Sequence, residues 1–482
     1  MTGTRFCYSA VVGNGVERQH YNVTFTLLAV AAVAYALLQS LVAPALLTIQ
    51  EDLHTTTAGA AWILTAYLLS ASVMTPIAGR LGDMYGKKRT MVIVLVILAA
   101  GTLLAALATS IGVMIVARVI QGAGGAVFPL SFSIIRDEFP PKRVPHGIAL
   151  ISAIMGIGGG LGIVLAGPIV EHLTYHWLFW FPLGAVIVAT IGIVVFVPES
   201  PVKTRGRIDP LGAVLLAAWL VALLVPVSQG PSWGWTSART LGLFAIAAVL
   251  IPIWVWAESR SRAPLVDMQM MRLRGVWTTN LAALVLGFGM FASFVLVPEF
   301  VELPASDGFG FGASVTEAGI FLVPATLGML ISGPIAGRLS STVGSRVPLI
   351  LGASFSCLGF TLLTFAHSRR FEIYLAMLVM GIGIGFAFAS MANLIVESVP
   401  VHQTGVATGM NTIVRSIGGA IGSQVSAGIV TATLAANGNP TERGFTIAFA
   451  AAAGALVVGI VVAVLVPKPV SEASSEPLAE AA

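Results

Sequence analysis

The stretch PIAGRLGDMYGKKR occupies residues 76–89, and its first six letters return as PIAGRL at 334–339. The two copies keep step beyond the hexapeptide, with Gly79 and Gly337 258 residues apart and Gly86 matched by Gly344 at the same offset. A second echo, GIA at 147–149 and GVA at 405–407, repeats that offset. A chain that writes several short motifs twice in one register is built from two copies of one unit.

Composition says what that unit is made of. Of 482 residues, 57% are hydrophobic and 10% are Asp, Glu, Lys or Arg, against roughly 25% charged in soluble domains. Apolar runs of about 20 residues recur along the whole chain, each long enough to cross a hydrocarbon layer of about 30 Å as a helix. Strands would show alternating segments of about ten residues instead. The reading is an all-α polytopic membrane protein of fourteen transmembrane helices. Spans are expected at 24–49, 58–79, 91–109, 111–135, 146–170, 177–198, 211–228, 240–257, 275–301, 315–337, 347–366, 371–396, 404–432 and 444–466. They divide as six, two and six, into two pseudo-symmetric halves. The organisation is a tail at 1–23, a six-helix half at 24–198, a two-helix insert with its linkers at 199–274, a second half at 275–466 and a disordered polar tail at 467–482. Asp209 and Pro210 suit the cap and first turn of the seventh helix.

Orientation follows from Lys and Arg. Nineteen of the 25 fall on the side of the N-terminus, four on the other, and Arg118 and Arg415 inside spans. The expected location is the cell membrane, with both termini cytoplasmic. The net charge of +4 expresses this topology, since no basic helix or aromatic-basic patch suited to nucleic acid accompanies it. Cys7 and Cys357 have no reason to pair. No nucleophile elbow, Walker motif or metal spacing is written here, so the chain is read as neither an enzyme nor a nucleotide binder, with no cofactor and no metal. The expected partners are a small-molecule substrate, protons and the lipid bilayer, and the working unit is taken as a monomer.

Two like-oriented halves suit a transporter that rocks about a midplane site. The repeated hexapeptide then belongs to the loop joining the second and third helices of each half. Gly79, Gly82 and Gly86 permit a tight backbone path. Asp83 faces Arg80, Lys87, Lys88 and Arg89 and is suited to meet a helix terminus of the opposite half. That contact would latch the cytoplasmic gate. The second copy carries Ser341 in place of Asp83, so the latch is expected to be asymmetric; the alternative for the lysines is simple topological anchoring.

GRLGDMYGKKR resembles motif A of the major facilitator superfamily, and RVIQGAGG at 118–125 resembles its motif B. The fourteen-helix count, and RIDPLGAVLLA followed by QGPSWGW, are similar to the drug:proton antiporter branch of multidrug exporters. The resemblance implies the major facilitator fold and proton-coupled efflux of lipophilic or cationic small molecules by alternating access. Two departures are visible. Gln39 stands where that branch usually carries an acid in its first helix, and GIVLAG, 162–167, stands for the fifth-helix motif with Ile163 in place of proline. Gly158, Gly162 and Gly167 keep the small-residue character that allows close helix contact.

Within the spans, Arg118 lies roughly 10 Å from the outer end at 1.5 Å per residue, with Gln121 on its face. Its readings are tuning of a proton-accepting group or pairing with backbone carbonyls. Arg415, about 16 Å deep by the same rise, should seek a carboxylate or an anionic ligand, or serve packing between halves. Glu299 reads as the one intramembrane carboxylate, either a proton carrier or an interfacial acid like Glu302. Gln39, Tyr67, Asn280 and Asn411 are candidates to line the cavity with Arg415. Beside the leading reading stand a transporter or facilitator for one metabolite or organic anion, and a sensor or scaffold without transport.

Overall fold

The computed structural model describes residues 21–200, 209–434 and 439–467. The expected disordered tail, most of the N-terminal tail with Cys7, and the polar segment 201–208 lie outside them. Among the described residues fourteen helices are long and apolar enough to span a membrane: α1 (Tyr21–Ser40), α2 (Gly59–Tyr85), α3 (Lys87–Ala106), α4 (Ile111–Glu138), α5 (Pro141–His172), α6 (Trp177–Phe196), α7 (Pro210–Trp233), α8 (Ala238–Arg260), α9 (Arg274–Glu302), α10 (Thr316–Val343), α11 (Arg346–Phe365), α12 (Arg370–Ser398), α13 (Val401–Thr431) and α14 (Glu442–Leu465). No sheet is present among them beyond one isolated bridge, Leu434 to Pro440.

Two boundaries differ from the sequence reading. The first span ends at Ser40 rather than near residue 49, and a short separate helix, Leu46–Asp52, follows a turn. Pro44 lies in that turn; it lacks an N–H for the helical ladder and its ring crowds the carbonyl four residues back, which favours a break there. The second span runs on to Tyr85. The segment GRLGDMY is therefore the last two turns of α2 and not a loop. Only Gly86, at φ 115°, separates it from α3, and Gly344 repeats the device at φ 88°. Asp209 caps α7, accepting the Leu211 and Gly212 N–H groups. With the Ser261 hydroxyl at 2.7 Å, these donors hold its carboxyl below the usual carboxylate range.

The halves repeat one packing scheme. Within the first, α1 packs on α5 and α6, and α3 on α4 and α6; within the second, α9 packs on α13 and α14, and α11 on α12 and α14. Each half has its own apolar core, one around Leu28, Phe128 and Phe179, the other around Phe300, Phe360 and Phe449. The outward faces stay apolar, as at Val188, Ile191 and Val195 of α6, which suits lipid rather than water as the neighbour.

Between the halves the pairing is reciprocal, α2 against α13 and α5 against α10. Small residues make both contacts possible. Gly156 and Gly160 sit against Met329 and Thr326, and Gly333 against Ala153. The insert attaches to one of these seams: α7 lies along α2 and α13, and α8 packs on α7. The Trp219 and Trp254 rings join the two insert helices at 5.7 Å.

Candidate functional site

The end of the bundle that carries both motif copies is where the halves are pinned. Asp83, 1% exposed, accepts the Gly405 N–H at 3.4 Å and the Val406 N–H at 3.3 Å. These amides belong to the first α-helical turn of α13, which begins at Thr404 after a 3-10 turn at Val401–Gln403, where unpaired N–H groups and the helix dipole favour an anion. The approach depends on Gly79, because a Cβ there would lie 2.6 Å from the Gly405 carbonyl oxygen. Arg136 of α4 adds a second bridge, donating to the Thr404 hydroxyl at 2.6 Å and the Val399 carbonyl at 2.9 Å. Asn393 donates to the Pro145 carbonyl at 3.2 Å.

Lys87 and Lys88 direct their ammonium groups elsewhere, which corrects the expectation that the basic residues face Asp83 as one cluster. Lys87, 0% exposed, donates to both oxygens of Asp137 at 2.7 Å, and the Ser200 hydroxyl reaches the same carboxylate. The Lys88 ammonium reaches the Val194 carbonyl at 2.9 Å. The Lys88 and Arg89 main-chain N–H groups both donate to Glu199 at 3.2 Å, so this carboxylate caps α3 from the end of the α6 connection. Arg80 and Lys87 still contribute positive field at Asp83, while the Arg80 Nε is buried without a partner. Gly82 sits against Leu130.

The second copy keeps the helix–glycine–helix geometry and carries serine in place of both Asp83 and Lys87. Arg346, matching Lys88, reaches the Val464 carbonyl. Ser345, matching Lys87, donates to Glu397 at 2.6 Å. Ser341, matching Asp83, is exposed and donates to its own helix at the Arg338 carbonyl, 2.8 Å away.

Two adjoining cavities lie between the halves, sharing Phe128, Met155 and Thr412. The first is lined also by Gln39, Tyr35 and Tyr67. The second is lined by Asn411, Phe388 and Arg415. None of the residues lining either cavity is acidic. Asn280 is absent from the lining and stands behind it, accepting from the Asn411 side chain at 2.9 Å.

Arg118 is 0% exposed and borders the first cavity through Tyr67, its guanidinium 4.0 Å from that ring centre. It donates to the Ile63 and Leu38 carbonyls at 3.2 Å each and to Gln121 at 2.8 Å. Gln121 passes the chain on to the Thr102 hydroxyl at 3.1 Å. The two residues thus form one buried network tying α1, α2, α3 and α4, and no carboxylate belongs to it among the described residues. Glu299 is not part of this network. It is half-buried near the end of α9 farther from the motif, with Glu302 as its charged neighbour. Nor is it the only carboxylate within a span: Glu258, near the end of α8, is buried and accepts the Val266 N–H at 3.3 Å. Helix α8 runs three residues past the expected limit of 257, which draws Glu258 inside. In α5, Gly158 meets Ala36, Gly162 meets Ser40 and Gly167 meets Thr316 of α10. The first two contacts tighten one half and the third joins the halves.

Sequence reasoning missed Asp137, Arg136 and Glu199. Asp137 lies in the last turn of α4, past the expected span limit of 135, and Glu199 in the connection after α6, so both read as ordinary solvated acids; no sequence signal beyond the neighbouring basic motif pointed to them.

Comparison with known proteins places this architecture. The chain is 29% identical over 409 residues to the tetracenomycin C resistance and export protein of Streptomyces glaucescens, covering 83% of this chain and 74% of that protein. It is 28% identical over 368 residues to multidrug resistance protein 3 of Bacillus subtilis, covering 75% and 70%. The human organic anion transporter MFSD10 shares the fold, with a TM-score of 0.65 at 16% identity over 92% of this chain and 99% of that one. The family model described as Major Facilitator Superfamily matches residues 28–423 and 311–481. The chain belongs to the Major Facilitator Superfamily, a family of membrane transporters and not of enzymes.

Proposed function

We propose that this transporter exports lipophilic small molecules through the paired cavities by alternating access, with the α2–α13 contact as its gate and protons as the driving ion. The observation that carries the reading is Asp83, a buried carboxylate of one half held by main-chain amides of the other. Its ionised form accepts both amides, and a proton would cancel the charge that the helix terminus favours. Protonation and gate opening are thereby coupled in one residue. The nineteen basic residues on the motif side argue that this gate and both termini are cytoplasmic. Relatives named for multidrug resistance and for export of a natural product support the exporter reading.

A second reading, a facilitator driven by the gradient of one metabolite, is favoured by Gln39. It lines the first cavity where the antiporter branch is expected to carry an acid. One experiment separates the two. Cells expressing the chain are loaded with ethidium or with fluorescein, and accumulation is followed before and after a protonophore. Coupled export gives low accumulation of at least one dye, restored by the protonophore and lost in Asp83→Asn. Accumulation of both dyes equal to that in empty cells refutes export of this kind, and low accumulation indifferent to the protonophore selects the facilitator.

A further inference from the structure

The cavities carry an imbalance of charge. Arg415 is 7% exposed and sits near the middle of α13, yet among the described residues it has no ion pair. Its neighbours are the Met155 sulfur, 3.1 Å from Nη2, and the face of Phe388, 4.5 Å from the guanidinium carbon. A thioether is a weak acceptor, and a ring face offsets only part of what a desolvated guanidinium loses. The hydroxyls of Ser152, Thr408 and Thr412 donate to carbonyls of their own helices at 2.8, 2.7 and 3.0 Å. Arg415 is therefore the charged donor of the second cavity. Arg118 adds a second buried cation beside the first one.

We infer that the cargo is an aromatic anion whose acidic group meets the Arg415 guanidinium while its ring lies among Phe128, Phe132 and Phe388. The three rings line the same cavity as Arg415. A guanidinium offers a planar fork matched to a carboxylate, and the rings supply stacking surface. A cationic cargo would meet like charge with no acid in the lining to offset it. Two unit charges about 4 Å apart at an effective dielectric of about 20 differ from no charge by on the order of three decades in Kd before desolvation. Desolvation removes much of this, and at least about tenfold discrimination should survive. This assignment deepens the transport reading given above and rests on it.

The test uses the full chain in lipid nanodiscs and equilibrium dialysis against three matched probes: 2-naphthoate, 2-naphthamide and 2-naphthylmethylammonium. The anion should bind at least tenfold more tightly than the cation, with the amide between. Arg415→Gln should erase that order, Arg415→Lys should keep most of it, and Phe388→Leu should weaken all three probes without reordering them. Equal or tighter binding of the cation, no measurable binding of 2-naphthoate, or an order unchanged in a monodisperse Arg415→Gln protein overturns the inference. If Arg415→Gln does not fold, the order in the unaltered protein still decides. Uptake of 2-naphthoate by inverted membrane vesicles is measured in parallel. Selective binding without uptake would count against the exporter reading while leaving the charge preference standing.

Discussion

Replacing Asp83 by Asn isolates the charge at the gate with little change of shape. Hydrogen bonds to a charged group contribute about 1.5–3 kcal/mol each. The two here, at 3.3 and 3.4 Å, are longer than the usual charge-assisted range of about 2.7–2.9 Å, so the lower end applies. The Asn carbonyl retains one neutral acceptor, whereas the charge–dipole contribution of about 0.3–1 kcal/mol is lost entirely. The closed state should lose about 1.5–2.5 kcal/mol, which raises the ratio of open to closed at the motif end by about 10- to 70-fold. Distances between spin labels on exposed Lys142 of α5 and His402 of α13 read this directly, with Cys7 and Cys357 replaced by serine. In the unaltered protein, lowering the pH protonates Asp83 and should move the distance distribution the same way; in Asp83→Asn that pH response should vanish. A distribution identical in the two proteins at every pH would refute the argument that the carboxylate holds the gate.

Other outcomes follow from the same geometry. Gly79→Ala should open the motif end more than Gly337→Ala in the same distance measurement, because the new Cβ lies 2.6 Å from a main-chain oxygen at the first site and 3.0 Å from the nearest atom at the second. Asp137→Asn leaves the Lys87 ammonium buried without its counter-charge and should cost about 3–5 kcal/mol. Thermal unfolding followed by intrinsic fluorescence should show a lowered Tm, with the pair Lys87→Met and Asp137→Leu recovering most of the loss. Arg118→Lys should not preserve transport. One ammonium cannot reproduce the fork that serves Ile63, Leu38 and Gln121 together, and vesicle uptake should fall at least about tenfold.

The helices were legible because each is written as a continuous apolar run, and the duplication because its motifs share one offset. Asp83 was legible as well: an acid among three glycines in a repeated motif had to meet something at close range. What escaped the sequence were partners set by the tertiary fold. Asp137 is 50 residues from Lys87, and Glu199 more than a hundred from the α3 terminus it caps. No local pattern marks either. Asn280 and Asn411, read separately as cavity candidates, are partners across 131 residues. Motif A was misplaced for a local reason, since its glycines read as a loop while the surrounding helix tolerates two of them and breaks only at Gly86.

The attachment of α7 has a consequence for traffic from the bilayer. Its side chains lie along both α2 and α13, and the Thr65 and Ser228 hydroxyls join α2 to α7 at 2.6 Å. The α2–α13 seam is thereby flanked by a helix tethered to one of its edges. On the gating reading proposed above, parting α2 from α13 would leave α7 across the gap and oppose sideways entry from the hydrocarbon core. The two-helix insert therefore lies along one of the two seams between the halves and leaves the flanks of the transporter unequal.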